Sequence, residues 1–358
     1  MSNKVCLIAA RNLSNITPLL KYISAAEDPI DIIYWNRNEL NESCEANRVF
    51  AYNRKTSEDC SKAEKLLSYL GFRHFVLKIL RRNKYDKIIL LPTQTAVMLF
   101  DFLVVHHKKC KYLLDIRDYT AEYKKWFKPI INTLIKYSTV VSLTSPAYMS
   151  FLPIHEYIIS HNYSPMPKSD IAAYRSRVLK GLPITISCVG GIRFIEYFAK
   201  IIQVFANDSR FVLRFDGAGS ERLKPICKEL SASNVILTGR FDRKDTIFFN
   251  MKADIANNLF GNHTPLLDFA LSNRLYNAVQ LGMPILVCPD TYTAQIACEY
   301  GFGFVFDIDD PACKEKLFVW YQSLDHNELY AACDRFLDKV KKDDAEYFNR
   351  IKDFLCRG

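Results

Sequence analysis

Two α/β domains of similar size, each a doubly wound parallel sheet, are what this 358-residue sequence predicts. Short β-rich runs recur between longer helical patterns from end to end, the signature of repeated βαβ units. The series is interrupted once, by YSPMPKS after Asn162, whose two prolines mark a linker. A composition that is 49% hydrophobic and 24% charged excludes a disordered or fibrous chain. The expected division is residues 1–165, residues 166–342, and a terminal helix, 343–358, packing back on the first domain.

In the first half the strand candidates are KVCLIAA (4–10), IDIIYWN (30–36), RVFAY (48–52), KIILLPT (87–93), KYLLDIRD (111–118), TVVSLTS (139–145) and EYIISHN (156–162). Helical patterns fill most of the gaps, the clearest being 61–82, interrupted at Gly71, and 126–137. The longest apolar region, 88–105, contains Pro92, Thr93, Gln94, Thr95 and Asp101, costly groups in hydrocarbon, and therefore reads as a buried strand followed by a helix. The second half offers PITISCVG (183–190), FVLRFDG (211–217), NVILTG (234–239), ADIANNL (253–259), PILVCP (284–289) and GFVFD (303–307), then helix in three pieces over 310–356. Open α/β sheets bind ligands at the carboxyl ends of their strands, so function is expected there, in a cleft shared by the two domains.

The formal net charge of +9 is unevenly placed. Residues 1–165 carry 23 basic and 15 acidic side chains, and the remainder 25 and 24. The stretch 73–128 alone holds 13 basic against 5 acidic groups, which points to an anionic partner for the first domain. Eleven dispersed cysteines without a CxxC motif read as reduced thiols of a cytosolic protein. The N-terminal apolar run is only six residues long before Arg11, too short for a secretory signal.

The most specific stretch is LSNRLYNAVQLGMPILVCPD (271–290), a helix followed by Gly282, Pro284 and a strand. Ser272 is placed to cap the helix, with the N–H groups of Asn273, Arg274 and Leu275 at its start. Such a terminus, with the added charge of Arg274, suits a phosphate; an ordinary capped helix is the competing reading.

This segment resembles the PNKLxEYLxxGKPVI signature of GT-B fold nucleotide-sugar glycosyltransferases, especially those of bacterial capsule and surface-polysaccharide clusters. Here it is written SNRLYNAVQLGMPIL. SCVGGIR (187–193), LRFDGAGSERL (213–223), NVILTGRFDRKD (234–245) and MKADIANNL (251–259) resemble the same family in the expected order, so the likeness covers at least 184–307. It implies two Rossmann-like domains and a UDP- or GDP-linked sugar donor, with no cofactor. It places Ser272, Asn273, Arg274 and Leu275 at the donor diphosphate, Gly190 and Gly191 beneath it, Arg193 on a phosphate, and Gly239 and Arg240 beside the base. Glycines permit close backbone approach and a guanidinium pairs bidentately with phosphate, in keeping with those roles. Gly190 and Gly191 read alternatively as a plain strand-to-helix turn.

Many relatives that retain anomeric configuration carry two glutamates eight residues apart, where this sequence has Phe269, preceded by Asp268, and Asn277. Asn277 still offers a hydrogen bond to a hydroxyl. An inverting transfer needs a base for the acceptor hydroxyl. Asp118, at the end of LLDIRDYTAEY (113–123) beside Asp115 and Arg117, is the first candidate, Glu122, one helical turn on, the second, and His161 the third. Asp115 and Arg117 as a structural ion pair, Asp118 as a helix cap and His161 as an interface histidine are the competing readings. In the first loop, 9–20, Arg11, Asn12 and Ser14 are placed toward the acceptor.

The basic stretch includes Phe72, Phe75, Val76, Ile79 and Leu80 at helical spacing beside Arg81, Arg82, Lys84 and Lys87, with Lys124, Lys125 and Lys128 around Trp126. These suit anionic lipid headgroups, at about 1 kcal/mol per cation; a solvated helix over a core face is the alternative. The reading is thus a metal-independent glycosyltransferase at the inner face of the cell membrane, acting on a lipid-diphosphate-linked glycan. Asp307, Asp309 and Asp310 read as a helix-starting acidic turn rather than a metal site. A non-catalytic scaffold of a polysaccharide assembly complex is the second class. DGAGSERL lacks the third glycine of a dinucleotide fingerprint, and no nucleic-acid module is recognisable.

Overall fold

The computed structural model describes residues 4–56, 60–119, 121–177 and 181–356. The chain divides into two compact units, Met1–His161 with Lys342–Gly358, and Asn162–Lys341.

Unit 1 is built on β1 (Val5–Ala9), β2 (Asp31–Asn36), β3 (Arg48–Asn53), β4 (Lys87–Leu91), β5 (Lys111–Ile116), β6 (Val140–Leu143) and β7 (Tyr157–Ile159). They form one parallel sheet in the order β3-β2-β1-β4-β5-β6-β7. The strand order reverses between β1 and β4, the switch point at which ligands sit in such folds. β1, β2 and β4 are buried along their whole length, as parallel strands covered on both faces must be, and this is why they read as unbroken apolar runs rather than alternating ones.

Unit 2 contains β8 (Ile184–Val189), β9 (Phe211–Asp216), β10 (Val235–Leu237), β11 (Ile255–Asn258), β12 (Ile285–Val287) and β13 (Gly303–Val305), parallel in the order β10-β9-β8-β11-β12-β13. Its reversal lies between β8 and β11. Every described strand overlaps a run marked in the sequence, and the fold is α/β with two Rossmann-like units.

Two helical expectations change. The Lys62–Asn83 helix runs unbroken through Gly71. A Cβ at that position would overlap the Tyr52 hydroxyl, so the glycine is there for packing against β3 and not as a break. The terminal region forms two helices, Cys313–Ser323 and His326–Cys356, instead of three. Asp325 marks the one interruption by accepting the N–H groups of Asn327 (2.8 Å) and Glu328 (3.1 Å), and neither glycine nor proline follows before Cys356. Leu329, Cys333, Phe336 and Val340 on this long helix join the core of unit 2, while Tyr347, Ile351 and Phe354 join that of unit 1.

The Lys62–Asn83 helix turns Phe72, Val76, Ile79 and Leu80 into the core, so those residues cannot meet a membrane. Lys87 is buried as well, donating from Nζ to the Leu355 carbonyl at 3.1 Å. Arg81, Arg82 and Lys84 are exposed. Leu66, Leu67 and Leu70, at 62%, 60% and 51% exposure, leave an apolar surface on the same helix that the sequence pattern did not single out.

Candidate functional site

In unit 2 the functional elements gather at the switch between β8 and β11. The chain leaves β8 through Gly190, whose φ of +109° favours glycine, and Gly191. Gly190 N–H donates to Asp216 O at 2.8 Å and Ile192 N–H to Ala218 O at 2.9 Å, so this turn continues the pairing of β8 with β9 beyond the strands. The approach is too close for side chains: a Cβ on Gly217 would overlap the Gly190 carbonyl, and one on Gly219 that of Ile192. A Cβ on Gly190 itself would meet no atom within 4 Å, and the same holds at Gly239, where φ is +80°. Backbone at those two points therefore faces open space.

The Asn273–Leu281 helix begins beside the turn. Ser272 Oγ accepts the Leu275 N–H at 3.3 Å and donates to Asn258 Oδ1 at 2.5 Å, fixing the cap to the end of β11. Leu275 is a core residue whose N–H the cap takes up. The N–H groups of Asn273 and Arg274 belong to the first turn, where a helix offers no acceptor of its own. Asn273 is exposed and Asn277 half-buried.

Arg274 is only 8% exposed. Its Nε donates to Val189 O (2.8 Å), Nη1 to Asn257 O (3.5 Å) and Nη2 to Gly191 O (3.2 Å), and the guanidinium lies 4.4 Å from the Phe260 ring centroid. Burial lowers its pKa. Its partners are neutral carbonyls and a ring, so the helix start holds a buried positive charge balanced by no ion pair among the described residues. Arg193 and Arg240 are exposed near the ends of β8 and β10.

Asp216, at the end of β9, is fully buried and accepts hydrogen bonds from Ser187 Oγ (3.0 Å), Arg214 Nη2 (2.8 Å) and Thr238 Oγ1. It ties β8, β9 and β10 together at their carboxyl ends, and Ser220 Oγ accepts the Gly239 N–H at 2.9 Å nearby. A lone Asp before Gly217 carried no sign of this role in the sequence, because two of its partners, Ser187 and Thr238, are more than twenty residues away in the chain.

In unit 1, Asp115 forms with Arg117 the structural ion pair given above as a competing reading. Its carboxylate is fully buried, paired with Arg117 Nη1 at 3.0 Å and bonded by Tyr22 Oη (2.9 Å) and Ser142 Oγ (3.0 Å). Burial opposes the Arg117 charge, but Asp115 holds that pKa above its ordinary value. Asp118 is half-exposed, with Oδ2 3.8 Å from Arg11 Nη2. The fold brings the two residues together from the ends of β5 and β1.

Residues 121–126 form turns, and helix begins only at Phe127, so Glu122 is not a helical turn beyond Asp118. Its Oε2 accepts the Ala121 N–H at 2.9 Å, and it lines a surface concavity with Tyr123, Lys124, Lys125, Lys128 and Asn132. His161 is buried, with Nε2 2.9 Å from Asp343 Oδ2 on the terminal helix. Lys21 pairs with the adjacent Asp344 at 2.5 Å. Among the described residues no group of three or more His, Cys, Asp or Glu side chains is arranged to hold a metal ion, and no helix is long and apolar enough to cross a membrane.

No protein-family model matches the sequence, and no curated protein does. Solved structures match its fold over nearly the whole chain. Anabaena HepE in complex with UDP superposes with a TM-score of 0.65 at 11% identity, over 97% of this chain and 99% of that one. The α,α-trehalose 6-phosphate synthase of Burkholderia multivorans gives 0.67 at 12% identity, over 99% and 97%. A UDP-N-acetylglucosamine 2-epimerase from Listeria monocytogenes, so described provisionally, gives 0.58 at 12%, over 96% and 98%. The fold is GT-B, and at these identities the likeness speaks for the fold alone.

Proposed function

We propose that the chain is a glycosyltransferase that takes a sugar from a nucleoside-diphosphate donor held by unit 2 and passes it to an acceptor held by unit 1. The observation that carries the donor role is the start of the Asn273–Leu281 helix. A buried guanidinium without a carboxylate partner, a capped helix N-terminus and a Gly190 turn facing open space converge there, and a diphosphate satisfies all three. HepE, in the structure described above, binds UDP, which supports a uridine nucleotide as the first donor to try.

Asp118 is the proposed base, because it is the more exposed of the two candidate carboxylates. The acceptor oxygen attacks the anomeric carbon as its proton passes to Asp118. The bond from that carbon to the donor phosphate breaks, and the electron pair leaves with the diphosphate. Arg193 and the helix start, backed by Arg274, stabilise the departing charge without calling on a metal. His161, held against Asp343, has a positioning role for the terminal helix. Gly239 and Arg240 flank the base, and Asn277 bonds a donor hydroxyl.

The acceptor proposed is a lipid-diphosphate-linked glycan of a bacterial surface polysaccharide, met at the inner membrane face. The support is the basic excess of residues 73–128, with Arg81, Arg82, Lys84, Lys124 and Lys125 presented by unit 1. Phe269 and Asn277 favour the second reading, a subunit that binds nucleotide without turnover. A panel of UDP- and GDP-sugars, read by mass spectrometry for hydrolysis or transfer to a short lipid-diphosphate sugar, separates the two. Binding without any product supports the non-catalytic subunit; no binding of either nucleotide overturns both.

A further inference from the structure

β1 and β2 are parallel neighbours with Ala9 opposite Tyr34, so the loops that leave them emerge side by side at the carboxyl edge of the unit 1 sheet. Side chains knot the two loops together. Asn12 Nδ2 donates to Asn36 Oδ1 at 2.8 Å and to Glu42 Oε2 at 2.9 Å, and Glu42 also accepts the N–H groups of Leu13 (3.1 Å) and Ser14 (2.9 Å). Asn12 and Asn36 are 2% and 5% exposed. Arg11 precedes one end of this knot and Arg37 follows the other.

Among the described residues neither guanidinium is bound closely by a carboxylate. Arg37 lies 4.3 Å from the Trp35 ring centroid and 5.4 Å from that of Tyr69, and Nη2 donates to Tyr69 Oη at 2.9 Å. Its Nε is enclosed and makes no hydrogen bond. Stacking thus fixes the plane of the fork while leaving donors at its edge. Among the described residues Arg11 has only long contacts, 3.5 Å to the Asn15 carbonyl and 3.8 Å to Asp118. Burial lowers the Arg11 pKa, and Arg117 and Arg37 act in the same direction against Asp118 and Asp115. With Arg117 committed to Asp115, Arg11 and Arg37 are the two guanidinium groups at this edge held by no carboxylate closer than 3.8 Å among the described residues.

We infer that Arg11 and Arg37 form an anion subsite that takes a phosphoryl group of the acceptor, a phosphomonoester or diphosphate. This rests on the acceptor role given above to unit 1. A phosphoryl group brings up to two charges and three acceptor oxygens to two forks, where a sugar carboxylate brings one charge and two oxygens.

The test titrates inorganic pyrophosphate by calorimetry into the full chain, first saturated with UDP so that the donor site is filled. Arg11→Gln and Arg37→Gln should each weaken pyrophosphate by about tenfold or more, with UDP affinity retained as evidence of folding, and Arg37→Lys should restore part of the loss. Glucuronate should bind at least about tenfold more weakly than pyrophosphate. Equal pyrophosphate affinity in the unaltered chain and both variants, no binding at all, or glucuronate bound as tightly, each overturns the subsite. If Arg37→Gln loses its fold, Arg11→Gln alone decides. Failure of UDP to bind tells against the donor reading, whereas pyrophosphate titrated without UDP still reports on Arg11.

Discussion

Arg274 donates from Nε to the carbonyl of Val189 at 2.8 Å, joining the first turn of a helix to the last residue of β8. The contact positions the Gly190 turn relative to the helix N-terminus, and so links stability to the proposed donor site. Arg274→Met should strip the Val189 and Gly191 carbonyls of their donor and lower stability by about 2 kcal/mol. Urea denaturation measures that loss, and calorimetry with UDP should show weakened binding in the same variant. Full retention of both would separate Arg274 from the site.

Asp118, the proposed base, is exposed and lies 3.8 Å from Arg11. Asp118→Asn should reduce transfer on the order of a hundredfold or more while leaving UDP affinity unchanged. Single-turnover transfer assays beside a nucleotide titration test this. Wild-type turnover in that variant would move the base to Glu122.

Asp208 in unit 2 couples stability to pH. Its side chain is 12% exposed, and its pKa is held well below 3.8 by hydrogen bonds from Arg210, with Lys314 aiding and burial opposing. The stabilisation is complete above the unfolded carboxylate pKa and is lost as pH falls from there through the depressed folded value. Asp208→Asn should therefore cost on the order of 1–2 kcal/mol at neutral pH, with the gap closing below pH ~3. Denaturation curves at both pH values check it. A gap that is constant with pH would remove the ion pair as its cause.

Arg81 and Arg82 lie in the last turn of the helix that exposes Leu66, Leu67 and Leu70, and Lys84 follows it as the C-cap. Changing the three cations to glutamate should weaken binding to anionic vesicles by roughly a hundredfold, from about 1 kcal/mol per cation removed. Vesicle co-sedimentation reads the effect. Leu66→Ser with Leu70→Ser should weaken binding further at high salt, where apolar burial persists and charge is screened. Equal sedimentation of all forms would dissociate this helix from any membrane role.

The strands were legible because parallel strands buried on both faces must be continuously apolar, as VCLIA and DIIYWN are. The Ser272 cap was legible for a related reason: capping is local, and the serine and the N–H it serves lie three residues apart. Gly71 misled because glycine in a helix has two meanings, a break or a close neighbour, and only the position of Tyr52 distinguishes them.

From its sequence alone, then, this protein has two parallel α/β units, a glycine turn after β8, a capped helix before β12 and a basic first half. Periodicity, caps and charge counts are properties of neighbouring residues. Tertiary structure decided which charges are available. It buried Asp115 against Arg117, joined His161 to Asp343, drew Arg274 onto backbone carbonyls and, among the described residues, left Arg11 and Arg37 without close carboxylates. Those outcomes depend on which strand ends and helices become neighbours, and only the assembled sheets and helices set that.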